Sequence, residues 1–223
     1  MRAAAVIPAY NEARSIAEVV GGVRRVVDRV IVVDDGSADG TAARARDANA
    51  EVIAHSVNRG KGTAVRTGLA RVFADDFTHV LLLDGDLQHL PGEAARLLAA
   101  AEQTGADVVV GERQFDRGRM PAARYYANRI GSRVLSWFVG VPVQDTQCGF
   151  RVFRVDALRP LTLTARGYEI ETEMLIKVRR RGGRVAGVPI TAVYAGQRSK
   201  LRPIPDTTRT CFLAVYYRFL ERL

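Results

Sequence analysis

The segment HVLLLDGDLQH, from His79 to His89, indicates the fold class on its own. It begins with a continuous apolar run, His79 to Asp84, and carries two carboxylates one residue apart at the end of that run, Asp84 and Asp86. Such a run is typical of a strand buried on both faces, and parallel sheets contain strands of this kind. Four further apolar runs have the same character: Ala3 to Pro8, Arg29 to Asp34, Glu51 to Ala54, and Asp107 to Gly111. We therefore predict five strands of a mostly parallel sheet.

Segments with helical spacing separate these runs along the chain. They are Ser15 to Val27, Thr41 to Ala50, Gly62 to Phe73, and Gly92 to Thr104. The alternation of strand and helix predicts an α/β fold with a Rossmann-like, mostly parallel open sheet and helices on both faces. In such sheets the ligand site lies at the carboxyl ends of the strands. Polar residues follow three of the predicted strands, and we expect them to share one site: Asn11, Glu12, Asp34, Asp35, Ser37, Asp84 and Asp86.

The second half of the chain is less regular. Its predicted elements are an amphipathic helix at Arg124 to Phe138, a hairpin or strand at Val143 to Arg154, a helix at Tyr168 to Arg181, a strand at Val185 to Val193, and a closing amphipathic helix at Thr208 to Leu223. The sequence contains no internal repeat and no linker-like stretch. We therefore expect a single domain over residues 1–223.

Composition narrows the class of protein. The chain has 223 residues, of which 48% are hydrophobic and 26% charged, and these ordinary values exclude a disordered chain. Two cysteines, Cys148 and Cys211, without a CxxC pair or a Cys/His cluster, exclude a disulfide scaffold and a zinc finger. No apolar run reaches about 18 residues, and the amino terminus lacks a signal-peptide pattern. We therefore expect a cytoplasmic protein without a transmembrane helix.

Net charge limits the partners. The chain carries 33 Lys and Arg against 24 Asp and Glu, which gives a net charge of +9 at pH 7. Such an excess predicts an acidic partner, which can be nucleic acid, an anionic membrane surface or a phosphorylated substrate. Because no helix-turn-helix or RNP-like pattern accompanies the charge, nucleic acid is not expected.

The carboxylates of Asp84 and Asp86 point to divalent-metal chemistry. Hard oxygen ligands at this spacing can hold Mg²⁺ or Mn²⁺ against a diphosphate. The alternative is an acidic turn in which an aspartate caps a helix. The strand before the motif and Gln88 after it favour the metal site. For His89, a hydrogen-bonding or capping role fits better than metal ligation.

Two further loops have compositions suited to nucleotide binding. Asp34 and Asp35 end a predicted strand and can accept hydrogen bonds from a base or a ribose; the alternative is a tight turn before a helix capped by Ser37 or Asp39. The loop 58–62 (NRGKG) can bring backbone N–H groups to a phosphate, although it lacks the P-loop spacing. An ordinary surface turn is an equally good interpretation of that loop.

Charged side chains in the second half of the chain are the remaining candidates for phosphate binding, membrane contact and general-base catalysis. The helix Arg124–Phe138 and the loop 198–202 (RSKLR) hold much of the positive charge and can capture phosphates or an anionic membrane surface. For the helix, a solvated face with extended arginines is an equal alternative. In GYEIETEM, Glu169 or Glu171 could act as a general base; the alternative is an acidic helix start favoured by the helix dipole.

Together and in this order, these motifs resemble the inverting glycosyltransferases of family 2, which have the GT-A fold. The motifs that carry the resemblance are VIPAYNE (Val6–Glu12), VVDDGSADGT (Val32–Thr41), NRGKGTAVRTG (Asn58–Gly68), LLDGDLQHLP (Leu82–Pro91), DTQCGFRVFR (Asp145–Arg154), GYEIETEML (Gly167–Leu175) and RSKLRP (Arg198–Pro203). DGDLQH and QCGFR narrow the resemblance to the branch of dolichyl-phosphate mannose synthases and polyprenyl-phosphate glycosyltransferases.

The resemblance implies that residues 1–110 bind a nucleotide-sugar and a divalent metal, Mg²⁺ or Mn²⁺. The residues that would line the nucleotide pocket or lie near the nucleotide are Pro8, Tyr10, Glu12, Asp35 and Lys61. The metal and the diphosphate would be held by Asp84, Asp86 and Gln88, with Asp86 acting in catalysis.

Residues 111–223 would form the acceptor half, which ends in the C-terminal amphipathic helix. The resemblance implies that Arg113 and Arg124 act in catalysis by facing the acceptor phosphate. It also implies that Arg198, Ser199 and Lys200 belong to a mobile loop that closes over the donor.

The reaction implied by the resemblance is metal-dependent sugar transfer, with inversion, from GDP-mannose or a UDP-sugar to a polyprenyl or dolichyl phosphate. Because a phosphoester has a second pKa of about 6, the acceptor can attack without a strong base. The closing helices would rest on the inner face of the cell membrane as a peripheral contact. One alternative is transfer to a glycan hydroxyl, which needs Glu171 or Glu169 as a base. Another is a non-catalytic nucleotide-sugar-binding protein.

Overall fold

A computed structural model of the chain describes residues 1–114, 136, 140, 145, 146, 148–191, 213, 216 and 217. The strands within them are β1 (Ala3–Ala9), β2 (Arg29–Asp34), β3 (Glu51–Ala54), β4 (His79–Leu82), β5 (Val108–Gln114), β6 (Arg151–Arg154) and β7 (Val185–Thr191). The helices are α1 (Ile16–Val23), α2 (Thr41–Asp47), α3 (Lys61–Phe73), α4 (Ala94–Thr104), α5 (Val155–Leu158) and α6 (Ile170–Arg180). A 3₁₀ turn at Pro91–Glu93 precedes α4.

The described strands form one sheet in the order β3-β2-β1-β4-β6-β5-β7. Neighbours pair in parallel except at β6, which is antiparallel to both β4 and β5. The mostly parallel open sheet predicted from the sequence is confirmed. Register places Arg151, the first residue of β6, beside Leu82 and Val110. Strand β6 therefore begins near the rim at which its antiparallel neighbours β4 and β5 end.

The central strands are stable because their side chains are buried on both faces. Val6, Ile7 and Ile31 have no exposed surface, and burial of such side chains contributes roughly 1.5–3 kcal/mol each. Helix α3 packs closely on this layer through Gly68, where a Cβ atom would lie 2.4 Å from Val6 Cγ1. Glycine at this position lets α3 approach the sheet.

Helices cover both faces of the sheet, as the sequence predicted. The chain steps in one direction from β1 to β2 to β3 and reverses to reach β4, so right-handed crossovers place α1 and α2 on one face and α3 on the other. The contacts agree, since α1 packs against α2 whereas α3 packs against α6. The reversal between β1 and β4 is the kind of switch point at which open α/β sheets bind ligands.

Several predicted elements differ in extent from those observed. The helix predicted from Ser15 to Val27 ends at Val23, because the chain turns there and Asp28 N donates to Ala3 O at 2.8 Å. The predicted hairpin or strand at residues 143–154 contains the single strand β6 among its described residues. The helix predicted from Gly92 begins as the 3₁₀ turn at Pro91–Glu93.

Most of the two predicted amphipathic helices lies outside the described residues. Ser136 is described in the first, and Leu213, Tyr216 and Tyr217 in the second, all with helical backbone. Tyr217 is buried and its hydroxyl donates to Glu173 Oε1 at 3.0 Å, which fixes this point of the second segment to α6. Within the described ranges, no helix is both long and apolar enough to span a bilayer.

Candidate active site

The loops after β1, β2 and β4 lie together at one rim of the sheet, as the sequence predicted. Glu12 N donates to Thr41 Oγ1 at 2.8 Å, which joins the loop after β1 to the start of α2. Ser15 Oγ donates to the carbonyl of Gly85 at 2.6 Å, which joins the same loop to the motif after β4. The three loops are therefore held to one another by direct hydrogen bonds.

Lys61 connects this rim to helix α6. It is the first residue of α3, and its Nζ lies 2.6 Å from Asp84 Oδ1 and 2.5 Å from Glu171 Oε1. Burial opposes the charge, but the two carboxylates hold the pKa of Lys61 well above its ordinary value. The ring of Tyr168 lies 5.2 Å from the same ammonium. Lys61 thus carries a fixed positive charge at the centre of the candidate site.

The glycines on either side of Lys61 allow its loop to pack against another part of the backbone. Gly60 has a φ of +93°, and a Cβ atom there would lie 2.4 Å from the carbonyl of Arg166. Gly62 N donates to the same carbonyl at 2.8 Å, and its own Cβ would lie 2.4 Å from the carbonyl of Ala165. The two glycines of the loop 58–62 are therefore packed against residues 165 and 166, whereas Asn58 and Arg59 are exposed; contact of the loop with a phosphate stays a prediction.

Asp35 braces the loop that carries Lys61. Its Oδ1 accepts a hydrogen bond from Arg59 N at 3.0 Å and lies 2.7 Å from His55 Nδ1, while Oδ2 accepts from Gly60 N at 2.8 Å. The Asp35 carboxylate is only 4% exposed. Its contact with the base or ribose of a nucleotide stays a prediction. The turn alternative is realised at the preceding residue, because Asp34 Oδ1 accepts from Ser37 N at 3.1 Å.

Asp84 and Asp86 form a crowded pair of carboxylates. Burial, the charge of Asp84 and the charge of Glu12 raise the pKa of Asp86 to about 6. Burial also disfavours the charge on Asp84, yet Lys61 outweighs this effect and lowers the pKa of Asp84 below its ordinary value. Asp86 Oδ1 accepts a hydrogen bond from Gln88 N at 3.0 Å, which fixes the turn.

The donor set at this turn suits a divalent metal. Asp84, Asp86 and Gln88 offer hard oxygen atoms, and a divalent cation would relieve the repulsion that raises the pKa of Asp86. In the described part of the chain, no group of three or more His, Cys, Asp or Glu side chains could hold a metal. Mg²⁺ usually binds through one or two carboxylates together with substrate phosphates, and the residues present fit that mode.

His89 and Cys148 pack beneath the metal motif. Burial lowers the pKa of His89 to about 4 and raises the pKa of Cys148 to about 12, so both side chains are neutral near pH 7. The imidazole stacks on Phe150 with ring centroids 5.6 Å apart, and Cys148 Sγ lies 3.8 Å from His89 Nε2. Both side chains therefore pack inside the protein, and the contact with Cys148 Sγ agrees with the hydrogen-bonding role expected for His89; its exclusion from metal binding stays a prediction.

Arg151 is a buried residue that the sequence reasoning did not single out. Its guanidinium is fully buried and donates to the carbonyls of Thr146, Cys148 and Glu171, each at 2.6 Å. Arginine is rarely buried, so composition gave no reason to place it in the core. The feature of the sequence that could have predicted its burial is its position at the start of an apolar strand. Through these contacts Arg151 joins the loop before β6 to the start of α6.

Gly149 brings that loop against two carboxylates of the site. A Cβ atom at Gly149 would lie 2.7 Å from Asp84 Oδ2 and 2.9 Å from Glu171 Oε1. The turn that contains Gly149 is therefore adjacent to the predicted metal motif. Its closeness follows from the antiparallel pairing of β6 with β4.

Arg113 lies at the carboxyl end of β5 and is engaged within the protein. Its Nε and Nη2 donate to Asp145 Oδ2 and Oδ1 at 2.5 and 2.9 Å, a two-point contact with a carboxylate that is 1% exposed. Contact between Arg113 and an acceptor phosphate stays a prediction. The sequence reasoning did not identify Asp145 as the partner of Arg113.

The acidic residues of GYEIETEM have separate roles. Glu171 pairs with Lys61, whereas Glu169 Oε1 accepts from Gly167 N at 3.0 Å and from Arg166 N at 3.3 Å. Glu173 is fully buried and joins a hydrogen-bond network with residues 164, 165, 177 and 217. The acidic helix start expected as an alternative is therefore present, but Glu171 also belongs to the site.

The remaining predicted site residues divide into two groups. Pro8 is half-buried and Tyr10 is 39% exposed at the end of β1, where a nucleotide could contact them. Glu12 lies near Asp86, since its charge contributes to the raised pKa there. The others lie outside the described residues: Arg124, Arg198, Ser199 and Lys200.

Comparison with known proteins identifies the family. Residues 4–162 match the family model described as glycosyl transferase family 2. This chain belongs to glycosyltransferase family 2. The glycosyltransferase AglJ of Haloferax volcanii is 36% identical to it over 216 residues, which are 95% of this chain and 70% of that protein. The undecaprenyl-phosphate mannosyltransferase of Micrococcus luteus is 32% identical over 206 residues, 86% of this chain and 84% of that protein.

A solved structure supports the same assignment of this family 2 glycosyltransferase. Glucosyl-3-phosphoglycerate synthase from Mycobacterium tuberculosis, in complex with Mn²⁺ and UDP-glucose, superposes with a TM-score of 0.73 at 25% identity. The alignment covers 97% of this chain and 78% of that chain. The predicted GT-A fold and the predicted glycosyltransferase activity are confirmed.

Proposed function

We propose that this glycosyltransferase moves a hexose from a nucleotide-sugar to a polyprenyl phosphate, with a divalent metal and with inversion at the anomeric carbon. The similarity to an undecaprenyl-phosphate mannosyltransferase supports the lipid phosphate as acceptor. The similarity to a synthase that binds Mn²⁺ and UDP-glucose supports a nucleotide-sugar donor and a metal. GDP-mannose and UDP-sugars are the candidate donors.

The observation that carries the choice of acceptor is the ion pair of Glu171. A hydroxyl acceptor needs a base to take its proton, and Glu171 or Glu169 would have to supply it. Glu171 is held 2.5 Å from the Lys61 ammonium, and Glu169 accepts hydrogen bonds from the backbone of residues 166 and 167. A phosphate acceptor, with a second pKa of about 6, is already ionised near neutral pH. These contacts favour the phosphate acceptor over the glycan hydroxyl.

The residues of the donor side have distinct tasks in this proposal. Asp84, Asp86 and Gln88 would hold the metal, which supplies positive charge for the leaving nucleoside diphosphate when it is bound. Lys61 presents its ammonium beside the same group of oxygens. Asp35 fixes the backbone of the loop that carries Lys61, so the charge is oriented before the donor arrives.

On the acceptor side, we assign Arg113 and Arg124 to the orientation of the lipid phosphate, because arginine binds phosphate oxygens in a directed manner. Arg198, Ser199 and Lys200 would close over the donor. The net charge of +9 favours a peripheral contact with the anionic cytoplasmic face of the membrane.

Transfer assays test the acceptor. The purified chain is incubated with GDP-mannose or a UDP-sugar, with Mg²⁺ or Mn²⁺, and with either a short polyprenyl phosphate, the matching polyprenol, or a free glycan. We expect transfer to the polyprenyl phosphate alone, and the anomeric proton of the product, measured by NMR, should have the configuration opposite to that of the donor. Transfer to the glycan with the lipid phosphate inert would contradict the proposal and support the hydroxyl alternative.

A further inference from the structure

The ammonium of Lys61 lies between two carboxylates that belong to different parts of the chain. Asp84, at 2.6 Å, follows strand β4 and is one of the residues that would hold the metal. Glu171, at 2.5 Å, is the second residue of α6 and is not part of the metal motif. The Lys61 side chain is 12% exposed and that of Glu171 is 10% exposed, so water screens this arrangement weakly.

The loop that carries Lys61 and the helix turn that carries Glu171 are both fixed by hydrogen bonds to their backbone atoms. Asp35 and the carbonyl of Arg166 hold the glycines on either side of Lys61, at 2.8 Å each. Arg151 donates to the carbonyl of Glu171 at 2.6 Å, which fixes the first turn of α6. The arrangement is therefore a built feature, unlike a surface ion pair between two extended side chains.

A metal held by Asp84 Oδ1 would compete with the Lys61 ammonium for that oxygen atom. Asp84 Oδ1 is engaged by the ammonium, and two cations close to one carboxylate repel each other. Glu171 Oε1, 2.5 Å from the ammonium, offers it a second carboxylate that is not part of the predicted metal motif. An ammonium held by Glu171 alone would leave Asp84 Oδ1 to a divalent cation.

We propose that Glu171 is a positioning residue for metal capture: it holds the Lys61 ammonium when Asp84 turns its Oδ1 from Lys61 to the metal. Lys61 is then an internal counter-ion that competes with the metal, and Glu171 sets how strongly it competes. This inference rests on the metal dependence in the proposed function, and it adds a role for two residues outside the metal motif.

Binding of Mn²⁺ to the full chain, without nucleotide, tests the inference directly. Free Mn²⁺ is measured by electron paramagnetic resonance during titration of wild type and of the variants Lys61→Met and Glu171→Gln. Removal of the competing ammonium in Lys61→Met should tighten Mn²⁺ binding at least about tenfold, given the strength of unit charges at close range. Glu171→Gln should weaken binding about threefold to tenfold, since the ammonium keeps Asp84 as its carboxylate partner.

The double variant Lys61→Met/Glu171→Gln separates positioning from a direct effect of charge. If Glu171 acts through Lys61, the double variant binds Mn²⁺ as tightly as Lys61→Met alone. If the double variant is weaker than Lys61→Met by the factor seen for Glu171→Gln, the carboxylate acts on the metal directly and the inference is wrong. The matched control is Glu169→Gln, which removes the same charge two residues away and should leave Mn²⁺ affinity unchanged.

Folding is checked by circular dichroism, because Lys61→Met leaves two buried carboxylates without their ammonium. The double variant removes one of those charges and is also expected to bind Mn²⁺ more tightly than wild type. If Lys61→Met and the double variant both bind Mn²⁺ no more tightly than wild type, the inference is overturned while the proposed transferase activity stays intact. Absence of Mn²⁺ binding by wild type, with or without UDP, would instead overturn the metal dependence itself and this inference with it.

Discussion

Helix α6 contributes carboxylates two residues apart to two different groups: Glu173 with its hydrogen-bond donors, and Glu171 with Asp84, Asp86 and Lys61. Glu173 is surrounded by donors: it accepts hydrogen bonds from Thr164 N, Ala165 N and Tyr217 Oη, and it pairs with Lys177 at 2.8 Å. The other group, Asp84, Asp86 and Glu171, contains three carboxylates around the single ammonium of Lys61. In the first group every charge is matched, whereas in the second negative charge is in excess.

Under the proposed function, the difference separates a carboxylate that stabilises the fold from carboxylates that serve a ligand. A buried charge with several hydrogen bonds contributes to stability, and its removal leaves its donors unpaired. Carboxylates that repel one another cost stability, and a positive ligand recovers that cost on binding. Substitution of Glu173 should therefore change the free energy of unfolding, whereas substitutions among Asp84, Asp86 and Glu171 should change metal binding and transfer.

The largest effect is expected for Asp86→Ala. Loss of a metal carboxylate should reduce transfer about 10²- to 10³-fold, comparable to the loss of one preorganised electrostatic group in other enzymes. The melting temperature should stay equal or rise, because the substitution removes a carboxylate that is repelled by Asp84. Initial rates with Mn²⁺ and thermal melts check this, and full metal-dependent turnover in the variant would rule out the assignment of Asp86.

Glu173→Ala should instead lower the stability of the protein and leave its metal binding unchanged. Its removal leaves the backbone N–H groups of residues 164 and 165 without their acceptor and takes the carboxylate partner from the Lys177 ammonium, which keeps the carbonyl of Thr162; breaking such a buried pair costs about 3–5 kcal/mol. Urea denaturation should show this loss in the free energy of unfolding. Any folded fraction should keep its Mn²⁺ affinity, and a selective loss of metal binding would mean that the two groups are not independent.

The pH dependence of stability in Glu173→Gln tests whether the ionised Glu173 stabilises the fold. Burial opposes ionisation, but Lys177 and the backbone donors lower the pKa of Glu173 below its ordinary value of 4.5. A lowered pKa in the folded state stabilises the protein above the unfolded value, and this contribution is lost as pH falls through the folded pKa. The stability difference between wild type and Glu173→Gln should be constant from pH 6 to 8 and should shrink below about pH 4.5. A difference that grows on acidification would contradict this assignment.

The smallest effect is expected at Asp39, which lies outside both groups. Its carboxylate accepts hydrogen bonds from Thr41 N at 3.1 Å and from Ala13 N at 3.0 Å, at the start of α2. Asp39→Ala should cost about 1 kcal/mol, because the backbone N–H groups of Ala13 and of Thr41, which follows the N-cap residue Gly40, lose their carboxylate acceptor. Denaturation at pH 7 measures this loss, and Asp39→Asn, which keeps an acceptor, should recover most of it.

The sequence predicts the parts of the molecule that depend on local patterns. The apolar runs ending at Asp34 and Asp84 predict parallel strands, and the carboxylates at and after their ends predict the rim of the site. The antiparallel direction of β6 was not predicted, because an apolar run has the same appearance in either direction. The pairing of Lys61 with Glu171, 110 residues apart, also depends on packing that no local pattern encodes.

Strand β6 also bears on how chains of this kind can diverge. Strand β5 ends at Gln114 and β6 begins at Arg151, and both positions lie on the rim that carries the donor carboxylates. The connection between them therefore leaves and rejoins the sheet on one side, and it can lengthen or change composition without shifting the register of β4, β5 or β6. Under the proposed function, a change in this connection would alter the acceptor side of the site while the strands that position Asp84 keep their register.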